Sequence, residues 1–232
     1  MIRPQDRLIV ALDVETLDQA KGLLKKLLPA GVSHFKIGSS LFTATGPEAV
    51  DAVHQAGGKV FLDLKFHDIP NTVANAIGSA ARLKVWMANV HIQGGSAMMR
   101  SALSAAEGKD LLLIGVTVLT SMAQSDLQEI GVERPIENHV RSLAKLAASA
   151  GLHGVVASVQ EAGTIRQECG EKFLIVTPGI RPAQGMDDQK RTGTPGEAIR
   201  AGASYLVVGR PILEAADPAA VAGKILEECA KG

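Results

Sequence analysis

Apolar positions along this chain fall into two alternating regimes. In short runs nearly every residue is apolar, over 8–12, 34–37, 60–64, 85–91, 111–119, 154–158, 173–177 and 205–208. Runs of this length without a polar face read as strands covered on both sides, as in a parallel sheet. Between them the apolar residues recur at helical spacing. Leu17, Ala20, Leu23, Leu24, Leu27 and Leu28 make one stripe within 16–28, and the same period runs through 48–56, 70–83, 96–107, 137–150, 159–168, 195–201 and 218–229. Pro70, Pro195 and Pro218 stand where a first helical turn would begin, with Thr194 and Asp217 as cap candidates before two of them. Gly31, Gly57, Gly108, Gly151, Gly170 and Gly202 stand where helices should stop.

Eight strand–helix units follow one another with no linker or break in composition. Strict alternation predicts a parallel sheet, and eight units in 232 residues favour a closed (β/α)8 TIM barrel over an open doubly wound sheet. We therefore expect residues 1–232 to form one α/β barrel domain. Composition fits this, since 46% hydrophobic residues suffice for a large core. The formal net charge of zero points away from nucleic acid and from membrane surfaces, so any positive field must be local. Cys169 and Cys229 lie in no metal-binding or redox spacing and read as ordinary thiols. The N-terminal stretch lacks the apolar run of a signal peptide and no segment is long enough to span a bilayer, so the expectation is a soluble cytoplasmic protein.

In such barrels chemistry sits at the C-terminal ends of the strands. Strand one ends in Asp13, strand two carries Lys36, and strand three carries Asp63 and Lys65 with Asp68 just beyond. Asp63 and Lys65 are two apart on a strand and should share a face. With Asp13 and Lys36 from the adjoining strands they form an alternating array of two carboxylates and two ammoniums in the barrel mouth. A structural ion-pair network is the simpler explanation for any one pair, but buried ion pairs stabilise poorly, and four ionised groups fit a functional site better. Strand four ends in Asn89 and His91; the histidine is either an acid–base group or a structural one held near the Gly94–Gly95 turn. Strand five leads into Thr120 and Ser121, strand seven into Arg181, and strand eight into Gly209 and Arg210. Loops after strands seven and eight often hold a phosphate, and an arginine fork suits its oxygens. Zinc-type clusters are absent from the sequence. Asp13 and Asp63 could serve magnesium, but Lys36 and Lys65 interleave them, so no metal is expected. No dinucleotide-binding or P-loop motif is present, and no cofactor is expected.

The run DLKFHDIPNT, from Asp63 to Thr72, resembles the signature of the orotidine 5′-phosphate decarboxylases. The resemblance extends over nearly the whole chain, through LIVALD, FKIG, NVHIQGG, VTVLTS, TPGIRP and VVGRP. It implies cofactor-free decarboxylation of orotidine 5′-phosphate to uridine 5′-phosphate, the last step of pyrimidine synthesis. Lys65 matches the family's catalytic lysine, Asp63 the carboxylate facing the substrate carboxylate, and Lys36 joins the array. Asp13 matches a ligand to the ribose hydroxyls, and Thr120, with Ser121 as competitor, a pyrimidine contact. Arg181, Gln189, Gly209 and Arg210 match phosphate-side contacts, with Gln184 an alternative to Gln189. Ile69 falls among the substrate-contacting positions. Asp68 and Thr72 match residues that reach into a neighbouring subunit's site, so the resemblance implies a homodimer, and Asp68 joins Asp63 as a catalytic residue that would hold the lysine charged and aimed. Segment 183–194 is the candidate lid. Ile92 and Gln93 stand where smaller residues are expected, a departure that should touch packing rather than chemistry. Two rivals remain: a magnesium-dependent sugar-phosphate decarboxylase sharing the DxKxxD core, against which Lys36 argues, and a non-catalytic barrel that binds a phosphorylated ligand.

Overall fold

The computed structural model describes residues 2–181 and 192–231. Its centre is a closed parallel barrel, β1 (Leu8–Ala11), β2 (His34–Gly38), β3 (Lys59–Phe66), β4 (Met87–His91), β5 (Leu112–Val116), β6 (Gly154–Val156), β7 (Leu174–Thr177) and β8 (Tyr205–Val208), in sequence order around the ring. The ring closes where β1 pairs with β8, Ile9 opposite Val207. The helices are α1 (Leu17–Leu27), α2 (Ser39–Thr45), α3 (Glu48–Gln55), α4 (Pro70–Arg82), α5 (Gly95–Ala106), α6 (Gln124–Glu129), α7 (Ile136–Ala150), α8 (Val159–Cys169), α9 (Pro195–Arg200), α10 (Arg210–Leu213) and α11 (Pro218–Lys231).

Strand alternation produces two apolar layers. Ile9, Ala11, Phe61, Met87, Ile114, Val176, Tyr205 and Val207 fill the barrel interior, whereas Leu8, Val10, Phe35, Ile37, Val60, Leu62, Ala88 and Val90 face the helices. Burial on both faces is why these strands carry no polar alternation. The helix caps form as the sequence suggests. Thr194 Oγ1 accepts the Glu197 N–H while Glu197 returns a bond to the Thr194 N–H, and Asp217 Oδ1 accepts the Ala220 N–H.

Three helices were not anticipated, namely α2, α6 and α10, at seven, six and four residues. Each lies in the connection after a strand and is too short to show a helical period. The expected fifth strand, 111–119, is also shorter. It stops at Val116, and Thr117 Oγ1 donates to the Val156 carbonyl at 2.8 Å as the chain turns over the barrel mouth.

The N-terminal end of the barrel is closed by rings. The His34 ring lies 4.3 Å from Trp86, and Trp86 lies 5.1 Å from Tyr205, centroid to centroid. His34 is buried and its Nδ1 pairs with Ser33 Oγ at 2.9 Å. Burial, then the nearby Lys59 ammonium, push its imidazole down from 6.5 to about 4, against the pull of Asp6. The unexpectedly large Ile92 is wholly buried, and the space for it comes from Gly115 on β5, where a Cβ would stand 2.5 Å from Ile92 Cγ1.

Two outcomes follow from this packing. Gly115→Ala is expected to cost about 1–3 kcal/mol through overpacking, and to cost less in an Ile92→Ala background, which removes the Cγ1 and Cδ1 atoms that the new methyl would meet, as read by urea denaturation. An equal cost in both backgrounds would show that Ile92 is not what fills the space. Because the folded-state pKa of His34 is depressed, the unfolded chain binds its proton first, so stability is full above about pH 6.5 and falls as pH drops towards 4. Across that window the native protein should lose about 3 kcal/mol more than His34→Gln. Parallel stability curves for the two would contradict the assignment.

Candidate active site

The inward positions of neighbouring strands turn polar as they reach the C-terminal mouth. On β2 the inward residues run His34, Lys36, Gly38; on β3, Phe61 then Asp63; on β4, Met87 then Asn89. Asp13 follows β1 by two residues. These side chains join into one chain of contacts. Lys36 Nζ lies 2.9 Å from Asp13 Oδ1 and 3.3 Å from Asp63 Oδ2, and Lys65 Nζ donates to Asp63 Oδ1 at 2.8 Å. The expected alternation of carboxylate and ammonium is therefore present in the order Asp13, Lys36, Asp63, Lys65.

Exposure grades along the array. The Lys36 and Asp63 side chains are 10% and 11% exposed, against 37% for Lys65 and 54% for Asp13. Burial alone would push Asp63 up, but the Lys36 and Lys65 charges outweigh it and hold its carboxyl below the usual value. Burial would likewise push Lys36 down, but Asp63 and then Asp13 hold its ammonium above the usual value. The interior pair is thus fixed in its ionised form, and of the two ammoniums it is Lys65, at the more exposed end, that is open to the mouth.

Regular strand geometry does not deliver Lys65 to this place. Its φ is +51°, in the left-handed region, a conformation costing roughly 1–2 kcal/mol for a residue with a Cβ. The β3–β4 ladder shifts there: Leu62 is opposite Ala88, but Phe66 is opposite Val90. The expectation that Asp63 and Lys65 share a face through simple alternation is corrected in this respect. They meet through a bulge that turns the lysine back towards the carboxylate. Asn89 holds both sides of it. Its Oδ1 accepts the Lys65 backbone N–H at 2.8 Å, and its Nδ2 donates to Asp63 Oδ1 at 2.6 Å.

Across the mouth lies a cavity of about 670 Å³ lined by Asp13, Lys36, Asp63 and Lys65 from β1 to β3 and by Arg181, Gly209 and Arg210 from the segments after β7 and β8, with Gly209 next to Asp13 where the ring closes. Val116, Val118, Val156 and Val176 provide an apolar wall between, and Thr120 and Ser121 lie at the edge in the loop after β5. Arg210 opens α10 directly after β8. The Arg181 N–H donates to the Gly193 carbonyl at 2.9 Å, tying the loop after β7 to the approach to α9. The cavity thus carries a paired ammonium and two guanidinium side chains, with apolar side chains among them.

Asp68, Ile69 and Thr72 lie outside this cavity, on the exposed rim where β3 passes into α4. Asp68 Oδ1 accepts the Ile69 N–H at 2.6 Å and does not pair with Lys65 of its own chain. Ile69 is 66% exposed, a large apolar side chain displayed beside the mouth. Gln189 and its alternative Gln184 fall outside the described residues, as does most of segment 183–194. His91 stacks on His67 at 5.4 Å between centroids, and burial, then His67, push its imidazole down.

Two residues of the site had not been singled out from the sequence. Asn89 reads there as one more strand-end amide; only the bulge gives it two partners. Gly38 leaves room for the array, since a Cβ would stand 3.0 Å from Lys36 Nζ and 3.1 Å from Asp13 Oδ1. Lys36 Nζ itself lies between the two carboxylates, in the position a divalent cation bridging them would take. Among the described residues no three His, Cys, Asp or Glu side chains gather as a metal-binding group, and no helix is long and apolar enough to cross a membrane.

Comparison with known proteins places this arrangement. Residues 6–225 match the model of the orotidine 5′-phosphate decarboxylase / HUMPS family. The orotidine 5′-phosphate decarboxylase of Syntrophotalea carbinolica is 51% identical, over 99% of this chain and 97% of its own length. That of Chromohalobacter salexigens is 52% identical, over 97% and 96%. The crystal structure of orotidine 5′-phosphate decarboxylase from Lactobacillus acidophilus superposes with a TM-score of 0.85 at 39% identity, covering 96% of this chain and 98% of that one. With the family pattern running almost end to end and about half of all positions shared with full-length relatives, the chain belongs to the orotidine 5′-phosphate decarboxylase / HUMPS family.

Proposed function

We propose that this protein decarboxylates orotidine 5′-phosphate to uridine 5′-phosphate, without a cofactor, and that Lys65 supplies the proton. The observation that carries this reading is the Lys65 ammonium, fixed on Asp63 at 2.8 Å and facing a cavity that Arg181 and Arg210 also line. The activity named for relatives sharing about half of this sequence supports it.

The reaction breaks the bond between C6 of the pyrimidine and its carboxylate. Carbon dioxide leaves and an electron pair stays on C6, in the ring plane, with no adjacent carbonyl to accept it. A fixed positive charge at that carbon lowers the barrier by preorganised electrostatics. Lys65 provides this charge and then transfers a proton to C6, forming the C6–H bond of the product; solvent restores the ammonium. Asp63 holds the lysine charged and aimed, and its own charge lies near the departing carboxylate. Lys36 keeps Asp63 ionised and ties it to Asp13, which takes the ribose hydroxyls. Thr120 and Ser121 contact the pyrimidine edge. Gly209, Arg210, Arg181 and Gln189 hold the phosphate, whose binding energy, remote from C6, contributes to transition-state stabilisation.

The protein acts as a homodimer in this reading. Asp68, Ile69 and Thr72, on the rim outside their own cavity, are contributed to the neighbouring subunit's site. The exposed Ile69 and the absence of an Asp68–Lys65 pair within one chain support that assignment. This reading is also the one in which the protein catalyses the last step of pyrimidine synthesis in the cytoplasm. The magnesium-dependent sugar-phosphate decarboxylase is disfavoured by Lys36, an ammonium paired with Asp13 and Asp63 at a position that would need a carboxylate to hold the metal.

Loss of ultraviolet absorbance from orotidine 5′-phosphate in a chelator-treated sample tests the activity. Full turnover is expected; turnover lost to the chelator and restored by magnesium would contradict the cofactor-free mechanism, and no turnover with or without magnesium would favour the sugar-phosphate reading. Lys65→Ala is expected to abolish turnover while still binding uridine 5′-phosphate; near-native turnover would remove the lysine from the chemistry. Arg210→Ala should lower kcat/KM by about 3 kcal/mol, on the order of 100-fold, as for one or two charged hydrogen bonds. An unchanged kcat/KM would place the phosphate elsewhere.

A further inference from the structure

The bulge at Lys65 raises a question that the charged array does not answer, which is what keeps the lysine there. With the two-residue period of a regular parallel strand, the N–H of residue 65 would point as that of Lys59 does on the Ser33 carbonyl, towards β2, whose paired residues end at Gly38 opposite Asp63. The register shift between Leu62 and Phe66 interrupts the ladder at this point, and the φ of +51° turns the N–H away from strand geometry. A backbone N–H left unpartnered in a partly buried place is costly, so the bulge persists only with a replacement acceptor. Asn89 provides it from the inward face of β4, at 2.8 Å.

The same side chain acts on the charge. Asp63 Oδ1 accepts from Lys65 Nζ at 2.8 Å and from Asn89 Nδ2 at 2.6 Å, while Oδ2 faces Lys36 at 3.3 Å. Asn89 is wholly buried, so its amide cannot exchange these bonds for water, and its two ends are committed to two different parts of the lysine's support. A side chain that both accepts and donates is needed. An aspartate could accept from the backbone, but it would either set a second negative charge against Asp63 or share a proton with it, and leucine could neither accept nor donate. The asparagine therefore couples the main-chain position of Lys65 to the orientation of the carboxylate that aims its ammonium.

We infer that Asn89 is a positioning residue for the reaction, clamping the backbone of Lys65 with one end of its amide and the Asp63 carboxylate with the other. This rests on the reading of Lys65 as the proton donor. Asn89 is not among the residues that line the cavity, so its loss should weaken turnover and spare nucleotide binding.

The test uses the full chain with Asn89→Asp, Asn89→Ala and, as a control on the underlying reading, Lys65→Ala. In Asn89→Ala, kcat is expected to fall on the order of 10- to 100-fold, as for the loss of one hydrogen bond to a charged group, with the Kd for uridine 5′-phosphate within about threefold of native. Asn89→Asp, nearly the same shape, should also lose at least about tenfold in kcat, because its carboxylate either repels that of Asp63 or shares a proton with it, and in both cases the neutral N–H donor that leaves Asp63 fully charged is gone. Hydrogen exchange at the Lys65 amide gives a readout independent of turnover. It should quicken in Asn89→Ala and stay slow in Asn89→Asp, which keeps the acceptor. If Asn89→Ala does not fold, Asn89→Asp alone decides through kcat and Kd. A folded variant with native kcat, or with kcat and Kd weakened in proportion, would overturn the inference. If Lys65→Ala retained turnover, the underlying reading would fail instead, whatever the Asn89 variants did.

Discussion

Asp63 carries one negative charge into the mouth of an apolar barrel, and three donors meet it there: Lys36, Lys65 and Asn89. An ionised carboxylate so deeply buried would be untenable alone, since desolvation costs several kcal/mol. Its partners offset that cost only while their geometry holds. Removing any one leaves the others with unbalanced charge or an unpaired polar atom. Around this centre the strand order matters: β2, β3 and β4 must be neighbours in register for Lys36, Asp63 and Asn89 to converge. A barrel closed in sequence order provides that neighbourhood without long connections.

Such an array is a poor way to stabilise a fold. Well-packed apolar side chains at the same positions would serve stability as well or better. The left-handed φ at Lys65 adds strain on top. Both features make sense together if the purpose is to hold an ammonium, aimed and charged, against a cavity that can exclude water around a substrate. The rest of the cavity completes that logic. Arg181 and Arg210, which follow β7 and β8, and Lys65, on β3, line the same cavity with apolar side chains among them, the set of groups that a ligand carrying both a phosphate and a reacting carbon would need.

Much of this was legible in the order of residues. The eight strands were found because double-sided burial removes polar positions from them, and the array's four ionisable members were found because they terminate adjacent strands. Other features were hidden for physical reasons. Helices α2, α6 and α10 are too short to carry a period. The bulge at Lys65 leaves no mark, because a lysine in the left-handed region is spelled like any other, and Asn89 gains its importance only from the register it corrects. Ile92, conspicuous as too large for its place, is explained by Gly115 more than twenty residues away, a pairing that only the packing of β5 against the turn after β4 makes visible.

The account stands on the direction of one amine. A crystal structure with a uridine 5′-phosphate analogue bearing an anionic substituent at C6 tests this most directly. The account requires Lys65 Nζ within hydrogen-bonding distance of that substituent while still bonded to Asp63, with the phosphate against Arg210. An analogue bound in the reverse sense, phosphate towards Lys65, or a lysine swung out of the barrel mouth, would contradict it.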